Sequence, residues 1–365
     1  MTVNGPDSTA QTRADAAFLT GVIEGFYGRG WTRHLRLDYA SYISALGLNS
    51  YLYCPKEDPF LRKRWQEDWP ASEWAELKSM AATYARSGVQ FGVGLSPFAL
   101  YQSYGTAQRA TLKRKIERLD ELDLPLLAIL FDDMPGDMPE LAERQLEIMD
   151  DIACWTSAGR LLMCPTYYSY DPVLETFFGT RPQGYWEELG LGLGASVDVF
   201  WTGNRVCSES VCADDVAVIN ESLGRNVVLW DNYPVNDGAV RSRHLYLEPL
   251  EQRQTLSSAV LSGHFCNPMN QGVLSLPALT GLAALYGESQ RSELHDWLVH
   301  TLGGPVWREL QADQKEFTEV GLDGMDEQRR HLLASKYAAL QGPAAAETAG
   351  WLRGEYTFDP ACLTD

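Results

Sequence analysis

The chain has 365 residues, 45% of them hydrophobic and 22% charged, so it can bury a large core and is neither disordered nor fibrous. Its formal net charge of -19 argues against a nucleic-acid-binding protein, because contacts with phosphates need a basic surface. Residues 1–17 lack the apolar stretch of a signal peptide and no membrane-spanning run follows, so we expect a cytoplasmic protein with no membrane partner.

Short apolar segments alternate with helical patterns from residue 18 to residue 287. The first helical pattern places Leu35, Tyr39 and Ile43 on one face, and Ser72 is predicted to cap the second. Strands are predicted at residues 18–26, 50–54, 89–95, 126–131, 161–164, 197–201, 226–230 and 258–265, and helices near residues 32–46, 72–84, 107–122, 140–155, 185–189, 213–223 and 276–286.

Eight strands separated by helices predict a closed parallel barrel, the α/β fold known as a (β/α)8 TIM barrel, which takes about 250 residues. The main alternative is an open doubly wound sheet, whose dinucleotide-binding form needs a Gly-x-Gly-x-x-Gly turn after the first strand. Here residues 24–30 read EGFYGRG, and both the spacing and the aromatic residues disagree with that turn. The sequence therefore favours the barrel.

Beyond Gly287 the pattern is only helical, at residues 294–302, 305–320 and 327–340. We therefore predict a flexible N-terminal segment at 1–17, the barrel as catalytic domain at 18–287, a C-terminal helical region at 288–340 and a poorly ordered tail at 341–365. No internal repeat other than the barrel units is evident.

The fourth predicted strand, residues 126–131, is an uninterrupted apolar run that leads directly into Asp132 and Asp133. Such a run suits a strand buried on both faces of a parallel sheet. Two neighbouring acids ionise reluctantly when they are partly buried, so we expect one of them to stay protonated at neutral pH, as acid catalysis requires. The plainer interpretation is that the two acids cap a helix or face water.

Polar and aromatic residues follow most of the predicted strands. Active sites of barrel enzymes lie at the carboxyl ends of the strands, so these residues are expected at one rim. Amide, hydroxyl and carboxylate groups together with aromatic rings suit a sugar, whose hydroxyls need paired donors and acceptors. The segments that carry these polar and aromatic residues are 24–28, 53–58, 132–133, 165–168, 201–203, 230–237 and 267–270.

The seven cysteines include no Cys-x-x-Cys pair, and the six histidines show no metal-binding spacing. An odd number of cysteines without paired spacing predicts buried thiols rather than a disulfide framework or a zinc site. We therefore predict no metal and no cofactor.

Three longer motifs and four shorter ones, in the same order, resemble glycoside hydrolase family 84. The longer motifs are GVIEGFYGRGW at residues 21–31, YLYCPKEDP at 51–59 and FDDM at 131–134. Gly30 and Glu57 depart from the residues that are common in that family, and neither position is assigned to the chemistry. The shorter motifs are CPT at 164–166, WTG at 201–203, WDN at 230–232 and NPMN at 267–270.

The resemblance implies a retaining beta-N-acetylglucosaminidase, similar to the O-GlcNAcases, in which the acetamido group of the substrate attacks its own anomeric carbon. Asp132 would bind the acetamido N–H and Asp133 would act as general acid and base. Tyr168 and Asn232 would assist the acetamido group beside an apolar wall formed by Trp230. The sugar hydroxyls would be held by Gly25, Lys56, Asp237 and Asn270, although Lys56 could instead serve only as a counter-charge to the acids.

The expected partner is a glycopeptide or glycan that carries N-acetylglucosamine, and the sequence does not predict an oligomeric state. A hyaluronidase-like enzyme, a non-catalytic glycan-binding module and a structural protein remain as alternatives. For a peptide aglycone, exposed aromatic side chains are expected at the rim, the competing interpretation being that these rings brace the loops. These residues are Trp31, Tyr53, Tyr104, Tyr167 and Tyr233.

Overall fold

The computed structural model describes residues 17–287 and 289–364, so most of the predicted N-terminal segment lies outside the described residues. Eight parallel strands pair in chain order, and the last pairs with the first from Leu19↔Gly263 to Val22↔Cys266, which closes the barrel. The predicted TIM barrel is therefore confirmed. The strands are β1 (Leu19–Glu24), β2 (Ser50–Tyr53), β3 (Gln90–Leu95), β4 (Leu126–Leu130), β5 (Arg160–Cys164), β6 (Asp198–Trp201), β7 (Val227–Asp231) and β8 (Leu261–Cys266).

The helices between the strands surround the barrel, and most of them match the predicted segments. Thr32 caps the first helix, because its side chain accepts a hydrogen bond from the Leu35 amide. The second helix begins at Ala71 after Pro70, so Ser72 is not its cap. The helices up to the end of the barrel are α1 (Arg33–Ala45), α2 (Ala71–Arg86), α3 (Thr106–Asp120), α4 (Leu141–Trp155), α5 (Val173–Phe178), α6 (Tyr185–Gly192), α7 (Ala213–Leu223) and α8 (Leu276–Tyr286).

Close backbone packing inside the barrel depends on small residues in the strands. A Cβ atom on Gly21 of β1 would lie 1.8 Å from the carbonyl oxygen of Ser50 on β2. Only glycine allows two strand backbones to approach in this way. The β1–β2 register, which pairs Gly21 with Ser50, therefore depends on that glycine.

Within the described residues five α-helices follow the barrel, and the last of them occupies part of the region for which we expected poor order. This last helix starts with a proline in its first turn, and its Trp351 is fully buried and donates a hydrogen bond to the Ser242 carbonyl at 3.1 Å. Glu347 on the same helix accepts hydrogen bonds from the amides of Val273 and Leu274. These contacts fix it against the loops that follow β7 and β8. The five are α9 (Arg291–Leu302), α10 (Gly304–Lys315), α11 (Gly321–Gly324), α12 (Glu327–Ala338) and α13 (Pro343–Leu352).

No helix in the described part of the chain combines the length and the apolar character needed to cross a membrane.

Candidate active site

One cavity opens at the carboxyl ends of the strands, where a barrel places its active site. All of the predicted site residues except Asn270 line it: Gly25, Lys56, Asp132, Asp133, Tyr168, Trp230, Asn232 and Asp237. They come from the ends of β1, β2, β4, β5 and β7 and from the segments that follow these strands. The fold thus brings together side chains that lie more than a hundred residues apart along the chain.

Asp132, the first residue of the acidic pair, is buried and carries a negative charge. The ammonium group of Lys56 contacts its Oδ2 atom, and its Oδ1 atom has no hydrogen-bond partner among the described residues. Burial opposes ionisation, but the positive charges of Lys56 and Arg62 outweigh it and hold the pKa of Asp132 below its usual range. The expectation that crowding keeps one acid protonated therefore does not apply to Asp132.

Asp133 is half-buried, and its side-chain contacts differ from those of Asp132. Its Oδ2 atom accepts a hydrogen bond from the Tyr27 hydroxyl at 2.7 Å, and its Oδ1 atom accepts one from the Tyr168 hydroxyl at 2.8 Å. The backbone of Asp133 is left-handed, with φ of 54°, a conformation that is uncommon for residues other than glycine. The chain turns sharply here, so two adjacent side chains can line one cavity instead of pointing to opposite faces.

Arg62 holds this turn in place, although it was not among the site residues predicted from the sequence. Its guanidinium donates to the carbonyl oxygens of Asp132 at 3.3 Å and Asp133 at 2.9 Å, and also to the Ser96 hydroxyl at 2.6 Å. The arginine lies in the basic segment LRKRW at residues 61–65, which reads as a solvated charge cluster. Only its burial distinguishes it from exposed Lys63 and Arg64.

Asp237 forms a second acidic position on the wall of the cavity. Its Oδ2 atom accepts a hydrogen bond from the Tyr27 amide at 2.7 Å. Burial raises the pKa of Asp237 to about 6, and the amide hydrogen bond offsets this only in part. A carboxyl group in this state can accept hydrogen bonds from sugar hydroxyls above that pH and can donate one below it.

One wall of the cavity is formed by Gly25, Trp230 and Asn232. Contacts among these residues and with Asn267 hold their positions. A Cβ atom on Gly25 would lie 2.3 Å from Cζ2 of Trp230, so the indole ring occupies the space that any larger residue would need. The Asn232 side-chain oxygen accepts hydrogen bonds from Nε1 of Trp230 at 3.1 Å and from Nδ2 of Asn267 at 2.9 Å. The Asn267 oxygen in turn accepts a hydrogen bond from the Gly25 amide at 3.2 Å. Asn267 is the first residue of the NPMN motif at 267–270, and no role was predicted for it from the sequence.

Asn270 is not among the residues that line the cavity. Its side-chain amide donates to the carbonyl oxygens of Tyr27 at 2.8 Å and Arg29 at 2.9 Å, and its backbone amide donates to Asn236. It therefore holds the loop that follows β1, and through that loop the hydroxyl of Tyr27 that reaches Asp133.

The aromatic residues expected on the rim do not form an exposed surface. Trp31, Tyr53, Tyr104 and Tyr167 are buried, and only Tyr233 is partly exposed. The Tyr104 hydroxyl donates to Asp151 at 2.7 Å, a contact within the outer layer of helices. Trp31 donates from Nε1 to the Met269 carbonyl at 3.1 Å. The prediction of exposed rim aromatics was therefore wrong for the four buried rings, which contact other parts of the fold, and only Tyr233 keeps part of its surface exposed.

Comparisons of the sequence identify a family and two curated relatives. The sequence model of a family described as beta-N-acetylglucosaminidase matches residues 20–302. The proteins called Protein O-GlcNAcase of Rattus norvegicus and Mus musculus are each 28% identical to this chain, over 282 and 280 residues, or 74% of its length. The chain spans only 30% of the length of either relative.

Comparisons of the fold point to the same group of proteins. The O-GlcNAc hydrolase of Thermobaculum terrenum aligns with a TM-score of 0.73 and 28% identity, covering 92% of this chain and 81% of that chain. A second structure, CpGH84B, aligns with a TM-score of 0.68 over 88% of this chain and 61% of that chain. Its sequence identity is 23%, and this second likeness shows the fold alone.

Proposed function

The chain belongs to the beta-N-acetylglucosaminidase family, as its motifs predicted, and from this premise we propose that it removes β-linked N-acetylglucosamine from glycoproteins or other glycoconjugates. The proposed reaction is hydrolysis with retention of configuration at the anomeric carbon. The chain itself supplies a general acid and base and a group that binds the acetamide, while the nucleophile belongs to the substrate.

In the first step the carbonyl oxygen of the acetamido group attacks the anomeric carbon, and the bond to the leaving oxygen breaks. Asp132 accepts a hydrogen bond from the acetamido N–H and stabilises the positive charge that develops as the oxazoline forms. This role requires an ionised carboxylate, which agrees with the low pKa that Lys56 and Arg62 give to Asp132.

Asp133 donates a proton to the leaving oxygen in the first step and accepts one from water in the second, when the oxazoline opens. Tyr27 and Tyr168 hold its two oxygens in position. Burial, together with the negative charge of Asp133, raises the pKa of both tyrosines well above their usual value, so they remain neutral at the pH of the reaction. A neutral hydroxyl can accept as well as donate, and it therefore serves both protonation states of Asp133.

The observation that carries the proposal is that the Oδ1 atom of Asp132 has no hydrogen-bond partner in the part of the chain that the structure describes. A buried carboxylate oxygen without a hydrogen bond is costly and needs a physical explanation, of which a catalytic role is one. This atom belongs to a residue that lines the cavity, beside the wall formed by Trp230. An acetamido N–H is a donor of suitable chemistry for it, and the apolar ring suits the acetamido methyl group.

The proposal is tested by hydrolysis of aryl N-acetylglucosaminide, aryl N-acetylgalactosaminide and aryl glucoside. We expect hydrolysis of the first and none of the glucoside, which lacks the acetamido nucleophile. Stepwise fluorination of the acetamido group should lower the rate progressively, because fluorine weakens the attacking carbonyl oxygen. Equal rates along the fluorinated series, or a trapped glycosyl-enzyme, would overturn the mechanism, and no release from any substrate would favour a glycan-binding module.

The same hydrolysis assay, with two further substrates, tests which kind of group is attached to the sugar. Release of N-acetylglucosamine from an O-GlcNAc peptide supports the glycoprotein substrate, and cleavage of a hyaluronan oligomer instead supports the hyaluronidase-like alternative.

A further inference from the structure

The segment that follows α13, residues 356–364, crosses the open end of the barrel; we call it the tail segment. It starts beside the loop after β1, where the guanidinium of Arg29 lies 4.8 Å from the centre of the Tyr356 ring. The preceding residue, Glu355, forms an ion pair with Arg29 at 3.8 Å. The Thr357 carbonyl oxygen packs against Gly28 and would lie 3.3 Å from a Cβ atom at that position.

The far end of the tail segment reaches the candidate active site. Cys362 and Thr364 line the same cavity as Asp132 and Asp133. The Cys362 thiol donates to Oδ1 of Asp237 at 3.8 Å, while the other oxygen of Asp237 accepts the Tyr27 amide. The side chain of Thr364 interacts with the hydroxyl of Tyr168. The tail segment thus contacts two of the residues assigned to binding the sugar.

The tail segment narrows the cavity at the candidate active site. The remaining volume is about 40 Å³. Binding sites for small molecules usually measure roughly 300–1,000 Å³, whereas a few water molecules fit into the volume found here. The tail segment therefore occupies part of the space that a hexosamine ring would need.

The tail segment is held weakly enough to move. It contains no helix or strand, and most of its residues are exposed or half-buried. Its two large apolar side chains beyond Tyr356 contribute little burial, since Phe358 is 41% exposed and Leu363 is 44% exposed. Segments with few buried apolar contacts open at a small cost in free energy.

We propose that the tail segment is an autoinhibitory element that occupies the sugar pocket and competes with the substrate for Asp237 and Tyr168. The identity of the competing ligand rests on the proposed function, but the docking of the segment does not. Only the open fraction of the molecules binds substrate, so the tail segment raises KM and leaves kcat unchanged.

The test compares variants that place the same negative charge inside and outside the cavity. Cys362→Asp puts a carboxylate beside Asp237, and charge repulsion should expel the tail segment. Phe358→Asp, the matched control, adds the same charge at an exposed position of the same segment. With an aryl N-acetylglucosaminide, Cys362→Asp should lower KM by about tenfold at unchanged kcat, whereas Phe358→Asp should leave both unchanged.

Amide hydrogen exchange of residues 356–364 gives a readout that does not depend on activity. We expect faster exchange in Cys362→Asp than in Phe358→Asp, and faster exchange in the unsubstituted chain when N-acetylglucosamine is added. If all chains are active with equal KM, or if Cys362→Asp raises KM, the autoinhibitory role is wrong and the proposed function stands. If no chain hydrolyses the substrate, the proposed function fails, and equal exchange in the two variants would then also exclude docking in the cavity.

Discussion

The ammonium group of Lys56 pairs with Oδ2 of Asp132, while the other oxygen of the same carboxylate has no partner in the described residues. The lysine side chain is 3% exposed, so little water screens the pair. The lysine therefore acts on Asp132 as a fixed positive charge, in line with the counter-charge role considered from the sequence.

The first prediction concerns the charge of Lys56. Removing it in Lys56→Gln should raise the pKa of Asp132, because an opposite charge at this range shifts a carboxyl pKa by roughly one to three units. Asp132 must be ionised to bind the acetamide, so the acidic limb of the pH profile of kcat should move to higher pH. Lys63→Gln, at an exposed position, is the control. An unmoved acidic limb in Lys56→Gln would show that the lysine does not set the ionisation of Asp132.

The second prediction separates the two acids. Asp133→Asn should slow substrates with poor leaving groups far more than activated aryl glycosides, since only the poor leaving groups depend on protonation. Asp132→Asn should slow both, because its contact with the acetamide is needed whatever the leaving group. The measurement is kcat/KM across a series of aryl glycosides of graded leaving-group pKa. Identical dependence in the two variants would contradict the assigned roles.

Arg62 is the subject of the third prediction. Arg62→Lys keeps the positive charge but cannot donate to both carbonyl oxygens of the acidic pair in the same planar geometry. We expect kcat to fall by about 10- to 100-fold with a smaller change in KM, because the substitution displaces the two carboxylates and affects substrate binding less. Arg64→Lys, at an exposed position two residues away, should behave like the unsubstituted chain. Equal kcat in the two variants would exclude a positioning role.

The fourth prediction follows from the raised pKa of Asp237. A carboxyl group whose folded-state pKa is about 6 contributes stability below its unfolded pKa near 3.8, and this contribution is lost as the pH rises through 6. Asp237→Asn has no carboxyl group to titrate at this position, so it does not share this loss. The free energy of unfolding of the variant minus that of the unsubstituted chain should therefore increase from pH 4 to pH 8, by up to about 3 kcal/mol. Urea unfolding at both pH values provides the measurement. A pH-independent difference would mean that Asp237 titrates normally in the folded chain.

The fifth prediction tests the wall of the pocket. Gly25→Ala should displace the Trp230 ring, because a Cβ atom there would lie 2.3 Å from Cζ2 of the indole. We expect weaker binding of N-acetylglucosamine and a loss of stability of about 1–3 kcal/mol from the overpacked contact. At Gly105 the nearest atom to a Cβ would be 3.5 Å away, so Gly105→Ala should be tolerated. Calorimetry with N-acetylglucosamine and urea unfolding measure the two effects.

Local patterns in the sequence were sufficient to predict the barrel and the rim at which most of the predicted site residues meet. The apolar run at residues 126–131 predicted β4 because a strand buried on both faces has no polar position to interrupt it. The boundaries of α7 and α8 matched because their apolar spacing and flanking glycines are local signals. The motifs also brought the acidic pair, Lys56 and Trp230 to attention without any knowledge of the fold.

Contacts between distant segments were decided only by the tertiary structure. The ionisation of Asp132 depends on Lys56, 76 residues away, and on Arg62, which the sequence presents as one basic residue in a basic segment. Burial of Tyr104 against Asp151 likewise depends on which helices meet. The position of Cys362 beside Asp237 follows from how α13 docks on the barrel, and no periodicity records this. Propensity and spacing describe neighbours along the chain, whereas charge, burial and access to the pocket are set by neighbours in space.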